Sequence, residues 1–386
     1  MSTSSSTEPT IHNGLEGVVV AATSLARIEG NEGRLSYRGY SIADLAQHAT
    51  YEEVLYLLWY GKLPNKQEYA QLKEKLTKAR TLSPTVMKVM KDLPTTGAPI
   101  DALRAGVTAM GMEDPTEDDL EHNAVIEKAI RMAGAMPTML AAYGRLREGK
   151  QPVDPDSSLD DAANFLSMLR GEKPSELDSN AFNAYLVCLA EHSMNASTFS
   201  ARVTISAISD VYSAIATALG TLKGVAHGGA NMASMKMLVD IGSADNVENY
   251  VNESLKSHRR LMGLGHRIYK ARDPRVDILM DYSEKVSKEK GNPTYHNIAK
   301  KLEELTGHHP FFLERKLFPN VEFYSAPLLY MLGLQPDMMP GAFAISRIGG
   351  WTAHLLEQLE DNRLIRPSAL YVGPAAQTYQ PVESRS

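Results

Sequence analysis

Apolar residues recur at helical spacing along nearly all of the chain after Ser41, and this pattern limits the fold more than any other feature. Thr50 and Glu53 have the spacing of a capping box ahead of an apolar run, and Gly61 with Pro64 marks the end of that helix. Proline and glycine divide the rest into further predicted helices at Lys66–Arg80, Pro84–Asp92, Ile100–Met112, Glu121–Arg147, Ser158–Leu169, Asp178–Glu191, Asn246–Lys256, Thr294–Leu305, Pro310–Lys316, Ser325–Leu332 and Ala342–Glu360. The chain is therefore predicted to be mainly α.

A small β-meander is predicted near the N-terminus. The short runs Val18–Val20, Ser24–Ile28 and Arg34–Tyr37 are rich in residues that favour strands. The Gly-Asn-Glu-Gly sequence at 30–33 is typical of a turn between the last two of them.

The segment Phe199–Leu222 is predicted to form a long helix with few charges. Its apolar positions are Val203, Ile208, Val211, Ile215, Leu219 and Leu222. A helix of this kind is expected in the centre of a subunit or in a subunit interface, because solvent would contact its apolar faces elsewhere. We therefore expect a homo-oligomer.

The composition is that of a globular protein that does not cross a membrane. With 386 residues, of which 43% are hydrophobic, the chain can bury a catalytic cleft. It contains no run of about 18 apolar residues, and Met1–Thr10 lacks the basic and apolar regions of a signal peptide. The single cysteine, Cys188, fits a reducing compartment. We expect a cytoplasmic protein.

Charge is distributed unevenly along the chain. The net charge of −6 argues against a nucleic-acid-binding protein. Between 256 and 275, however, Asp273 is the single acid among seven basic residues: Lys256, Arg259, Arg260, Arg267, Lys270, Arg272 and Arg275. This cluster indicates either a site for phosphate or carboxylate ligands or a solvated basic face.

A glycine-rich break in the helical pattern surrounds His227. Gly224 precedes the histidine and Gly228-Gly229 follows it, so the backbone can approach a ligand closely. The free N–H groups at the start of the next helix favour negative charge. The stretch suits an oxyanion site, although the glycines also fit a simple connection between two helices.

Several motifs with polar residues at helix breaks resemble the citrate synthase family, and the resemblance covers nearly the whole chain. They are Gly17-Val18-Val19, Tyr37-Arg38-Gly39-Tyr40, Leu57-Leu58-Trp59-Tyr60-Gly61, Glu191-His192, Asn195-Ala196-Ser197-Thr198, Leu222-Lys223-Gly224, His227-Gly228-Gly229-Ala230-Asn231, Gly265-His266-Arg267, Tyr269-Lys270, Asp273-Pro274-Arg275, Phe323-Tyr324-Ser325 and Arg366-Pro367. No metal-ligand spacing such as Cys-x-x-Cys is present.

The resemblance implies a mainly α, two-domain citrate synthase fold. A large domain would comprise residues 1–227 and 329–386, and a small domain, 228–328, would close over the active site. The subunit would work as a homodimer, alone or as part of a higher oligomer. It would condense acetyl-CoA with oxaloacetate and water to give citrate and CoA, with acetyl-CoA as co-substrate and with no metal or permanently bound cofactor.

The resemblance also implies roles for individual residues. His227 matches the donor to the thioester carbonyl, His266 the residue that polarises the oxaloacetate ketone, and Glu322 the base that removes a methyl proton. The implied oxaloacetate ligands are His192, Arg275, Arg347 and Arg366, the last supplied to the partner subunit's site. Arg267 and Lys270 match a region that binds the CoA phosphates.

These residue types suit the chemistry. A thioester methyl is a very weak acid, so a carboxylate can deprotonate it only if a donor stabilises the developing oxygen charge at once. Guanidinium groups bind carboxylates in bidentate fashion, which suits a dicarboxylate substrate. Arg347 lies in an apolar stretch, where its charge requires either a bound anion or a structural ion pair.

Glu322 departs from the family pattern, in which the base is normally an aspartate. The additional methylene moves the carboxylate by roughly 1 Å, a displacement that can reduce a rate about a hundredfold unless the backbone compensates. Two alternatives to a citrate synthase are therefore open. They are a 2-methylcitrate synthase that uses propionyl-CoA, and a catalytically impaired member kept for binding or assembly.

Overall fold

The computed structural model describes residues 10–385, and most of the N-terminal segment used to predict location lies outside them. The described part of the chain is mainly helical. Its α-helices are α1 Ile42–His48, α2 Tyr51–Tyr60, α3 Lys66–Ala79, α4 Pro84–Asp92, α5 Pro99–Glu113, α6 His122–Arg147, α7 Asp161–Arg170, α8 Glu176–Leu189, α9 Ala196–Ser206, α10 Val211–Leu222, α11 Gly229–Ile241, α12 Val247–Lys256, α13 Arg275–Glu289, α14 Thr294–His308, α15 Pro310–Glu314, α16 Glu322–Met331 and α17 Met339–Glu360. The predicted mainly α fold is confirmed.

The three-stranded meander is present, but its first predicted strand is wrong. Strands β1 (Ala26–Glu29), β2 (Arg34–Tyr37) and β3 (Tyr40–Ser41) pair antiparallel in chain order. Val18–Val20 forms no strand, and Val19 is 89% exposed. The third strand instead follows the tight turn at Arg38 and Gly39, both of which have positive φ.

Helix α2 begins with the capping box that the sequence predicted. The Thr50 side chain accepts the Glu53 N–H at 3.2 Å, and the Glu53 carboxylate accepts the Thr50 N–H at 2.8 Å. Gly61 ends the helix in the left-handed conformation, with φ of 76°.

The predicted long helix over Phe199–Leu222 is in fact two helices, α9 and α10, which pack against each other. Ile208 between them has φ of +58°, so the chain cannot continue as a helix there. Asp210 then caps α10 by accepting the Ser213 N–H at 2.7 Å. The apolar face of α10 is buried as predicted.

Helix α17 lies at the centre of the molecule. Almost all of its residues are buried, and it packs on α2, α6, α8 and α9. Helices α11 to α16 pack mainly on one another, and α13 also packs on α8. The candidate residues therefore lie where α8, α9 and α17 meet the second group of helices. No described helix is long and apolar enough to cross a membrane.

Candidate active site

Arg347 on α17 is a buried cation without a carboxylate partner. Its Nε donates to the Leu189 carbonyl at 2.6 Å, and its guanidinium lies 4.7 Å from the centre of the Phe343 ring. Within residues 10–385, no carboxylate oxygen lies within 4.0 Å of it, so the alternative of a structural ion pair finds no support. Burial lowers the pKa of Arg347 to about 10, which leaves it charged at neutral pH. Such a group suits a bound anion.

His227 lies in the break between α10 and α11, as predicted. Its Nε2 is 2.8 Å from the Ser197 hydroxyl, which also accepts a hydrogen bond from Trp351 Nε1 at 3.1 Å. Burial, with a smaller effect of Arg347, lowers the pKa of His227 to about 4. The imidazole is therefore neutral at physiological pH and can act as a hydrogen-bond donor.

His192 lies in the short turn between α8 and α9 and is 6% exposed. Its Nε2 is 3.2 Å from the Tyr269 hydroxyl, and its ring centre is 5.4 Å from that of His266. Burial, followed by the charge of Arg275, holds its pKa well below the usual histidine value. His192 thus links the α17 side of the site to the loop that carries His266.

A short backbone pairing joins the two loops of the opposite side. Leu264 forms an isolated antiparallel bridge with Pro319, and Gly265 N–H donates to the Phe318 carbonyl at 2.8 Å. Asn320 fastens the same loops, since its backbone N–H donates to Gly263 O at 2.9 Å and its side chain to Gly265 O at 3.0 Å. We call this pairing of 263–265 with 318–320 the loop clasp. It brings the loop of His266 beside the start of α16.

The tautomer of His266 follows from its contacts. The backbone N–H groups of Ile268 and Tyr269 both donate to its Nδ1, at 3.0 and 3.2 Å. Burial, with a smaller effect of Arg275, lowers the pKa of His266 to about 4. A neutral ring whose Nδ1 accepts must carry its proton on Nε2. His266 therefore presents an Nε2–H donor.

Arg275 is the first residue of α13 and is held by Asp273. Its Nε and Nη2 donate to the two Asp273 carboxylate oxygens at 2.9 and 2.7 Å. A positive charge at the start of a helix is unfavourable to the helix dipole. The structure shows that the buried carboxylate of Asp273 offsets this, and it also accepts the Arg275 N–H at 3.1 Å.

Glu322 is the first residue of α16, directly after the loop clasp. Its backbone N–H donates to Asn320 Oδ1 at 3.1 Å, whereas its carboxylate has no hydrogen-bond or ion-pair partner among residues 10–385. Burial raises its pKa and the nearby Arg275 opposes that rise. A partly buried carboxylate free of protein partners fits a general base.

The two candidate phosphate ligands lie in different surroundings. Lys270 lines a cavity of about 430 Å³ together with Arg272 and Pro319. Arg267 is exposed and lies 3.4 Å from the Gly14 carbonyl. Lys270 is therefore the better placed of the two for a ligand in this cavity.

Arg366 is not brought together with the other candidates. It is exposed, in the C-terminal segment that follows α17. Within the described part of the chain it makes no hydrogen bond or ion pair.

Several residues that support the site were not assigned a role from sequence. Ser197 and Asp273 belong to recognised motifs, so their motifs were a usable signal. Trp351 and Asn320 lie close in sequence to Arg347 and Glu322, but their contacts could not be predicted because their partners Ser197 and Gly265 are distant in the chain. No group of three or more His, Cys, Asp or Glu residues able to hold a metal ion occurs among the residues described.

Comparison with known proteins supports one family. The family model for the citrate synthase C-terminal domain matches residues 14–368. A citrate synthase of Haloferax volcanii is 45% identical over 97% of this chain and 99% of its own length. Citrate synthase 2 of Bacillus subtilis is 41% identical over 98% of this chain and 100% of its own length.

One solved structure and one further relative are also similar to this chain. The citrate synthase of Thermoplasma acidophilum, solved as a ternary complex with carboxymethyl coenzyme A and oxaloacetate, superposes with a TM-score of 0.92. It is 34% identical, with 97% of this chain and 100% of that chain covered. A 2-methylcitrate synthase of Mycobacterium tuberculosis is 37% identical over 95% of this chain and 91% of its own length.

Proposed function

The chain belongs to the citrate synthase family, and we propose that it condenses acetyl-CoA with oxaloacetate and water to give citrate and CoA. It is an acyltransferase. The observation that carries the proposal is the buried guanidinium of Arg347, which has no carboxylate partner in the described structure and lies beside neutral histidines.

Oxaloacetate is proposed to bind between the two sides of the site. Its carboxylates supply the anion that Arg347 lacks, while Arg275 offers a second cation that Asp273 holds in a fixed orientation. His192 is the third ligand. Its contact with Tyr269 keeps its ring next to His266, so that a substrate bound to one histidine also meets the other.

The Nε2–H of His266 is proposed to donate to the ketone oxygen of oxaloacetate. Two backbone donors fix the proton on that nitrogen, so the ring needs no rearrangement before reaction. Polarisation of the ketone makes its carbon more electrophilic. That carbon then accepts the new carbon–carbon bond.

Glu322 is proposed to take one proton from the acetyl methyl group while His227 donates to the thioester oxygen. The Ser197 hydroxyl accepts from Trp351 and lies 2.8 Å from both Asn195 Oδ1 and His227 Nε2. We propose that in the reacting complex its single hydrogen turns to His227 Nε2, which places the ring proton on Nδ1 for the thioester. The resulting enol or enolate attacks the ketone carbon and forms citryl-CoA. Hydrolysis of the thioester then releases citrate and CoA.

The proposed domain arrangement follows the same division of the molecule. We propose that residues 228–328 form a small domain that closes over a large domain of residues 1–227 and 329–386, with a hinge near Gly224–Gly229. Mutual packing of α11 to α16 supports this division. Closure would exclude water from the thioester until condensation has occurred.

We also propose a homodimer in which Arg366 reaches the partner subunit's site. Its exposed position, away from the other candidates of its own chain, supports this. Lys270 is proposed to contact a CoA phosphate, because it lines the cavity beside the loop clasp. The exposed Arg267 is the second candidate for such a contact.

The test is release of free thiol by the purified protein with acetyl-CoA and oxaloacetate, with citrate identified by mass spectrometry. We expect thiol and citrate to form in equal amounts and only when both substrates are present. Propionyl-CoA run in parallel distinguishes the 2-methylcitrate synthase alternative, since one methylene in an apolar pocket changes specificity only about 10- to 200-fold. Absence of product with either thioester would support the catalytically impaired member instead.

A further inference from the structure

Helix α17 carries a buried histidine, His354, two turns beyond Arg347. Its Nε2 lies 2.9 Å from Oε1 of Glu191, and both side chains are completely buried. The same Glu191 oxygen accepts the backbone N–H of Ser193. The Glu191 carboxylate thus connects helix α17 to Ser193, and the residues before and after His192 are held together.

The turn that presents His192 depends on these contacts. Ser193 has φ of +49°, a conformation that a non-glycine residue adopts only when neighbouring contacts hold it. The Glu191 N–H also donates to the Tyr37 hydroxyl at 3.3 Å. The Glu191 side chain is therefore the group that closes the turn around His192.

Arg202 determines which nitrogen of His354 carries the proton. Its Nη1 is 3.1 Å from His354 Nδ1. Because a guanidinium can only donate, Nδ1 accepts and the proton of the neutral ring lies on Nε2, directed at Glu191. Arg202 is itself held by Gln358, whose Oε1 accepts from Nε at 3.0 Å, and by Glu357, 3.4 Å from Nη1.

There is little room for the Glu191 carboxylate to move within this arrangement. Gly350 N–H donates to the Ala190 carbonyl at 3.1 Å, and a Cβ at Gly350 would lie 2.3 Å from Glu191 Oε2. That oxygen is buried and has no hydrogen-bond partner in the described residues. Glu191 is consequently held through its Oε1 contacts, and among residues 10–385 the His354 bond is the one that a side chain supplies.

We propose that His354, acting through Glu191, is a positioning residue that orients His192 for oxaloacetate. This inference rests on the proposed role of His192 as an oxaloacetate ligand. Loss of the Nε2–H donor would leave a buried carboxylate with one fewer partner and release the turn at Ser193. Since hydrogen bonds to buried charged groups are strong, oxaloacetate binding weakens about tenfold or more when this one is removed.

Two amide variants test the proposal with little change in side-chain volume. Gln places its amide nitrogen near the position of histidine Nε2, so His354→Gln retains the donor to Glu191. His354→Asn reaches only the position of Nδ1 and loses that donor. Both variants are compared with the unmodified protein by calorimetric titration of oxaloacetate and by the Michaelis constants for oxaloacetate and acetyl-CoA.

We expect His354→Asn to raise the oxaloacetate dissociation and Michaelis constants about tenfold, with a smaller change for acetyl-CoA at saturating oxaloacetate. His354→Gln should recover most of the loss. Equal behaviour of the two variants, or a parallel change in both Michaelis constants, would overturn the positioning role. If the unmodified protein itself does not bind oxaloacetate, the proposed function fails instead, so the two failures are distinguishable.

Should His354→Asn not fold, Arg202→Met provides a second comparison. It leaves the imidazole in place but removes the group that sets its tautomer, so the oxaloacetate constants should again rise more than those for acetyl-CoA. An unchanged oxaloacetate affinity in folded Arg202→Met protein would contradict the relay from Arg202 through His354.

Discussion

The two sides of the site are held in different ways. On the α17 side, side chains from distant parts of the chain hold the functional groups. Ser197 contacts His227 and accepts a hydrogen bond from Trp351, and His354 with Glu191 closes the turn around His192. On the other side, the backbone pairing of the loop clasp positions His266 and Glu322, and the Glu322 carboxylate has no protein partner in residues 10–385.

This difference indicates where the chain tolerates change. Almost any substitution in a network of side-chain hydrogen bonds removes one of its bonds. Hydrogen bonds between backbone groups, in contrast, depend little on the side chain of the residue that follows them. The departure from the family pattern, glutamate for aspartate at 322, occurs on the side held by backbone. It also occurs at a carboxylate that forms no hydrogen bond or ion pair with another described side chain.

The largest expected effect is at this carboxylate. Glu322→Gln removes the base but keeps the size of the side chain, so turnover should fall about 10²- to 10⁴-fold. Glu322→Asp keeps the base and should retain or raise turnover, as measured by thiol release. Normal turnover of the Gln variant would show that Glu322 is not the base.

Substitution of Arg347 tests the α17 side of the site, where side-chain contacts hold the functional groups. Arg347→Met leaves the substrate carboxylate without its buried cation, which costs about 2–5 kcal/mol, or at least about 30-fold in the oxaloacetate Michaelis constant. Arg347→Lys is the matched control, since it keeps the charge but loses the bidentate geometry and the bond to Leu189. We expect the oxaloacetate Michaelis constant of Arg347→Lys to lie between those of Arg347→Met and the unmodified protein. An unchanged constant for Met would refute the binding role.

Substitution of two adjacent glycines of α17, Gly349 and Gly350, tests how tightly the α17 side is packed. A Cβ at Gly350 would meet a carboxylate and a backbone carbonyl at 2.3 and 2.4 Å, whereas one at Gly349 would meet the end of the Leu55 side chain at 2.5 Å. Both changes raise helix propensity equally. Gly350→Ala should therefore destabilise by about 1–3 kcal/mol and weaken oxaloacetate binding, as overpacking does. Gly349→Ala should do less, because Leu55 can rotate; thermal unfolding and calorimetry compare the two.

At neutral pH the smallest expected effect is that of the two buried histidines on stability, which appears only as the pH is lowered. His227 and His266, one from each side, have a pKa of about 4 in the folded protein, below the ordinary 6.5. Between pH 6.5 and 4 the unfolded chain therefore binds more protons than the folded protein does. The contribution of these histidines to the free energy of unfolding is fully present above pH 6.5 and is lost as the pH decreases through that range. Replacing either histidine with Asn should flatten this slope in thermal unfolding. A slope that both variants leave unchanged would contradict the buried, neutral state.

Sequence predicted local structure better than the contacts of the site. The capping box at Thr50 and the helix break at His227 follow from neighbouring residues and were found. The break at Ile208 was missed because its apolar side chain fits the helical pattern, although Asp210 is a usual capping residue.

Contacts between residues that are distant in the chain could not be predicted from the sequence. Glu191 and His354 are 163 positions apart and meet only because α17 packs against the turn after α8. No spacing in the sequence indicates such a pair. The candidate site residues themselves came from the family resemblance, since a histidine or arginine considered alone is as often structural.

The most direct test is the affinity of Glu322→Gln protein for oxaloacetate, measured by calorimetry beside the unmodified protein. If the α17 side binds the substrate and Glu322 serves only as the base, the variant binds oxaloacetate at least as tightly, because a negative charge near a dianion has been removed. Binding weakened about tenfold or more, together with lost turnover, would contradict this separation of binding from proton transfer.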